Sequence, residues 1–123
     1  MALTTAGINF IAGAITGQGT MFNNDNAYIG VGNGTSAFAA SQNDLTGTSK
    51  IRKPMEPGYP IVEAPSVIFR ATFNKEDANF PWNEWGIFNA ATGGVMLNRT
   101  IESNGTKQSN QTWVLDVEVT FTI

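Results

Sequence analysis

WVLDVEVTFTI, residues 113–123, decides the fold class. Trp113, Leu115, Val117, Val119, Phe121 and Ile123 alternate with Val114, Asp116, Glu118, Thr120 and Thr122. Side chains of a strand point to opposite faces in turn, so this period of two predicts a strand with one face in a core and one in water. The apolar set continues to Ile123, which predicts that the domain's core takes in the end of the chain and that no tail follows it. Upstream, Val67, Phe69, Ala71 and Phe73 alternate with Ile68, Arg70 and Thr72 in the same way, predicting a second strand of the same kind.

Working outward, Glu84 to Phe88 and Val95 to Ile101 read as two further strands. The intervening Asn89-Ala90-Ala91-Thr92-Gly93-Gly94 suits a hairpin turn. Ala27 to Val31 reads as a strand running into Gly30, Gly32 and Gly34. Lys50 to Met55 looks extended, while Pro54, Pro57, Pro60 and Pro65 confine the middle of the chain to edge strands and loops. Two short helices are expected. Thr4 or Thr5 can cap the first, whose apolar positions Ile8, Ile11, Ala12 and Ile15 follow helical spacing up to Gly17. Ser36 can cap the second, through Phe38, Ala39 and Leu45 to Gly47. The expectation is a mainly β chain: one antiparallel β-sandwich-like domain over residues 1–123, with a core of Ile8, Ile11, Ile29, Val31, Val67, Phe69, Phe73, Ile87, Leu97, Trp113, Leu115, Val117, Val119 and Phe121.

Composition narrows the chemistry. Histidine and cysteine are both absent, which removes the commonest general base, the commonest transition-metal ligands and any disulfide framework. No cofactor and no enzymatic activity are expected. Charged residues are 14% of the chain, with seven basic against ten acidic residues and a net charge of −3; phosphate recognition, and hence nucleic-acid binding, is not expected. Met1 to Thr5 lacks a basic leader, and no apolar run approaches the length of a membrane span, so neither secretion nor a membrane is expected.

The remaining motifs have ordinary explanations. Gly30-Val31-Gly32-Asn33-Gly34-Thr35 resembles a dinucleotide loop but has Thr35 where the third glycine belongs; a tight connection with glycines at positive φ explains it better. Glu76 with Asp77, Glu84, and Asp116 with Glu118 are the carboxylates left for catalysis, the last pair two apart on one strand face. Asn33-Gly34-Thr35, Asn98-Arg99-Thr100, Asn104-Gly105-Thr106 and Asn110-Gln111-Thr112 match the glycosylation pattern through the abundance of Asn and Thr. Phe80, Trp82 and Trp85 form an aromatic group open to three readings: core, protein interface or sugar platform.

The order of features resembles a recurring phage module. It comprises Leu3-Thr4-x-Ala6-Gly7 opening a helix, a strand into Gly32-Asn33-Gly34-Thr35, then Arg52-x-x-Met55, Phe69-x-Ala71-x-Phe73, and Glu84-Trp85-Gly86-Ile87-Phe88 before a glycine turn and Val95-Met96-Leu97. It is similar to the N-terminal anchoring domain of phage tail-collar and tail-fibre proteins, and to small stand-alone decoration and tail accessory proteins of tailed phages. The resemblance implies a structural subunit made in the bacterial host cytoplasm and resident in the virion. It also implies docking on other virion proteins of the capsid or tail, as a homo-oligomer and by analogy a trimer. Because the chain ends within its last strand, no fibre shaft in cis is expected. Carbohydrate binding in receptor recognition is the alternative. Docking is expected on the loops Gln18 to Asn26 and Glu76 to Trp82 with the segment Pro54 to Pro65. There Met21, Phe22, Phe80, Trp82, Pro57 and Tyr59 are apolar or aromatic residues without a periodic partner.

Overall fold

A computed structural model describes residues 2–122. In chain order the elements are β1 (Ala2–Leu3), α1 (Thr5–Ala14), β2 (Tyr28–Gly32), β3 (Lys50–Pro54), β4 (Ile61–Glu63), β5 (Ser66–Phe73), β6 (Glu84–Phe88), β7 (Met96–Ile101) and β8 (Trp113–Thr120). They form two antiparallel sheets, one of five strands in the order β1-β7-β6-β2-β3 and one of three in the order β4-β5-β8. The mainly β, sandwich-like architecture is therefore as the alternating patterns require.

The inner layer is built from those alternations. Ile29, Val31 and Ile87 of the larger sheet face Phe69, Ala71, Phe73, Val117 and Val119 of the smaller one, and each of them is buried. Full burial of the Ile, Val and Phe side chains among them contributes roughly 1.5–3 kcal/mol each before entropy is counted. The sheets meet at a corner where the chain leaves β3, because the Glu56 N–H donates to the Arg70 carbonyl oxygen at 2.9 Å. On the opposite side β8 pairs with β5 alone, from Trp113↔Phe73 to Thr120↔Ser66.

Thr4 caps α1, its hydroxyl accepting from the Gly7 N–H at 2.9 Å. The chain beyond the helix reverses at Gly17, whose φ is +80°. The face that α1 buries differs from the expected one. The helix lies against β7 through Gly7, where any Cβ would collide with the Leu97 carbonyl, so the inward line runs Gly7–Ile11. Rotation onto that line turns Ile8 and Ile15 outward, at 53% and 85% exposure. Ile8 is thus not a core residue. Phe121 is also 40% exposed, because it lies past the last β8 residue paired in the sheet; Ile123 lies outside the described residues.

The second expected helix does not form. Residues 33–49 run as an irregular arm across the outer face of the larger sheet, because backbone groups that a helix would need are bonded elsewhere. The N–H groups of Gly34, Thr46 and Gly47 donate to Glu84, and the Ser36 carbonyl accepts from Arg99. Under this arm Leu45, Phe88 and Met96 form a second small core. Gly30, Gly32 and Gly34 are not in the positive-φ region. They are needed for space: a Cβ at Gly30 would sit 2.6 Å from the Phe88 ring, and one at Gly34 would sit 2.5 Å from the Glu84 carboxylate.

Candidate docking surface

The residues expected to grip a partner divide between two regions. Trp82 is inside the domain at 1% exposure. Its ring meets Phe73 and Trp113 edge-on with centroids 4.8 and 4.9 Å away, and its indole N–H donates to the Ala78 carbonyl at 3.0 Å. Trp82 is therefore a core residue and not an interface anchor. An isolated Trp in a turn-rich stretch gave no periodic sign of the Phe73–Trp113 slot that receives it. Phe80 is half-buried against the same core. Lys107 locks this loop, since its buried amine donates to the Asn74 carbonyl at 2.6 Å and to Asn79 Oδ1 at 2.9 Å.

At the other end the expectation fares differently. Phe22 meets Phe10 of α1 edge-on, centroids 4.9 Å apart. With Pro60, Val62, Val119 and Phe121 these rings line an open groove of about 240 Å³ that has no charged residue in its lining. The loop before β2, through Phe22, and the proline-rich segment, through Pro60 and Val62, thus meet here. Val62 on the rim is 75% exposed and Met21, beside Phe22, is 65% exposed. Ile8 and Ile15 lie three and four residues from the groove residue Ile11, so their exposed stripe adjoins the groove along α1. The sequence reading places Ile8 in the core and Ile15 on the same helical stripe, and it misses Val62. Pro57 is exposed, whereas Tyr59 is half-buried with the Arg70 guanidinium 4.5 Å above its ring.

Of the five carboxylates singled out in the sequence, Asp77, Glu84 and Asp116 hold the fold. Arg70 grips Asp116 with two hydrogen bonds, at 2.6 and 2.8 Å, and the guanidinium holds the Asp116 carboxyl below the usual carboxylate range. Asp77 is held low in the same way by Lys53, 2.9 Å away. Burial alone would push the Glu84 carboxyl up. The N–H groups of Thr46, Gly47 and Gly34 and the Arg99 guanidinium outweigh that and bring it down. Among the described residues no group of three or more His, Cys, Asp or Glu is placed to hold a metal ion, and no helix is long and apolar enough to cross a membrane. What this arrangement offers a ligand is an apolar, weakly charged surface around α1.

Comparison of the chain with protein-family models, with curated proteins and with solved structures finds no match.

Proposed function

We propose that the chain is a non-enzymatic structural subunit of a tailed-bacteriophage particle, docking as a homo-oligomer on other virion proteins of the capsid or tail. The order of motifs from Leu3 to Leu97 is the basis for naming the particle. The observation that carries the docking role is the apolar surface made by Ile8 of α1, Ile15 at its C-cap, Met21, Val62 and Phe121, all substantially exposed around an uncharged groove. Large apolar side chains clustered on a small domain mark an interaction surface. The domain's own core does not account for them. Modest contacts of this kind become firm when repeated over many copies on a particle. In the aromatic group for which a sugar platform was one of three readings, Trp82 is buried and Phe80 and Trp85 are half-buried.

Binding of the purified chain to particles that lack it tests the reading. The wild-type chain should bind saturably. Ile15→Asp combined with Met21→Asp should abolish binding while the melting temperature stays within a degree or two, since both side chains are in water in the free domain. Undiminished binding of the double variant would count against this surface.

A further inference from the structure

We propose that the outer edge of β8 receives an extended segment of a different protein, one that alternates basic and apolar side chains, as a fourth strand of the smaller sheet. The backbone pattern carries the first step. Phe121 donates its N–H to the Pro65 carbonyl at 3.0 Å, and hydrogen-bonded pairs alternate along an antiparallel ladder. The odd-numbered residues of β8 therefore bond to β5, and Val114, Asp116, Glu118 and Thr120 point their N–H and C=O groups the other way. The Arg70 carbonyl checks this parity: Arg70 pairs with Asp116, and its oxygen accepts from Glu56 on the side away from β8. Among the described residues none of the four outward-pointing backbones has a partner.

Such an edge is unusual in this molecule. β1 has two residues and β4 three, and β3 stops at Pro54 before the chain bonds to β5. Short edges and proline are ordinary protection against stray pairing. β8 is eight residues long and has neither.

A second copy joined antiparallel through its own β8 is not the occupant. Only even-numbered residues present free groups, so two β8 strands joined antiparallel must set even against even. The registers that keep most of the strand then place Asp116 against Glu118, Asp116 against Asp116, or Glu118 against Glu118, and like charges directly opposite are destabilising. Arg70 offsets Asp116, while Glu118 is exposed and opposite Ile68, with no ion pair among the described residues. The incoming strand therefore carries Lys or Arg facing Glu118. Its alternate side chains lie beside the half-buried Trp113 and Leu115 and the exposed Phe121, and so are apolar. The inference goes beyond docking through α1 and does not depend on the partner being a virion component.

The test uses the capped heptapeptide Thr-Val-Lys-Val-Lys-Val-Thr, its analogue with Glu for both Lys, and a backbone N-methylated form, each titrated into the intact chain with residue-resolved amide exchange. The lysine peptide should slow exchange at Val114, Asp116, Glu118 and Thr120. It should bind roughly fivefold or more tightly than the glutamate peptide, and the N-methylated form should not bind. Glu118→Lys, at an exposed position that leaves the fold intact, should reverse the preference, and Glu118→Gln should reduce it. Equal affinity for both charged peptides, protection at the α1 groove in place of β8, or no protection by the lysine peptide would overturn the proposal.

Discussion

Arg99 Nε lies 2.8 Å from Glu84 Oε1, and both side chains are wholly excluded from solvent. β6 and β7 bring the pair to the outer face of the larger sheet, and the irregular arm of residues 33–49 is wrapped over it by its own backbone hydrogen bonds. Removing one partner of a buried pair leaves an uncompensated charge and costs about 3–5 kcal/mol. Arg99→Met and Glu84→Gln should each lower the free energy of unfolding by that amount in chemical denaturation. Amide exchange should speed up first at Gly34, Thr46 and Gly47, whose N–H groups point at Glu84.

The same carboxylate sets a response to acid. Its folded pKa is below the ordinary 4.5, so the folded state favours the ionised form and Glu84 contributes stability above that value. This contribution should fall as the pH drops below about 4.5 and be gone once Glu84 is protonated in the folded chain. Asp116 and Asp77, also held low, add to the loss in the same direction. Thermal unfolding followed from pH 7 to pH 2 should show the decline, and Glu84→Gln should flatten part of it.

How much of this was legible in the sequence can be told from single residues. Val67 to Phe73 and Trp113 to Thr120 announce themselves because strand alternation and burial coincide there, and β6, β7 and their hairpin follow from glycine placement. The α1 face was misread because Ile8, Ile11 and Ile15 have helical spacing whether that stripe is buried or left bare. What decides is Gly7, a residue with no side chain to score, pressed on the Leu97 carbonyl. The arm of residues 33–49 has helix-like apolar spacing, and only the distant Glu84 and Arg99 explain why it is not a helix. A Glu heading the otherwise apolar β6 and an Arg inside β7 were the available signal. In the docking loops, Phe22 and Trp82 look alike as isolated aromatics, and only the tertiary slot between Phe73 and Trp113 separates them.

Trp82 and Met21 give that distinction a measurable form. Trp82→Ala empties a space walled by Phe73 and Trp113 and should cost about 3–5 kcal/mol of stability. Met21→Ala removes an exposed side chain and should change stability by about 0.5 kcal/mol or less. Equilibrium denaturation of the two variants checks both values.

Lys107 should prove structural and local. Lys107→Met keeps the length of the buried stem but strands the Asn74 carbonyl and Asn79 Oδ1, at a cost of about 1–3 kcal/mol. Exchange should rise within residues 74–80, where Ala78 is already held at φ +54°, while β5 and β8 keep their protection.

The role in a particle is tested most directly by counting this chain in purified virions from the lysate in which it is made, using quantitative mass spectrometry after density-gradient separation. The expected result is co-sedimentation with intact particles in a fixed ratio to a major capsid or tail protein, with the ratio falling for particles assembled with Ile15→Asp and Met21→Asp in place. Recovery of the chain only in the soluble fraction, with none on the particles, would contradict the reading as a virion subunit.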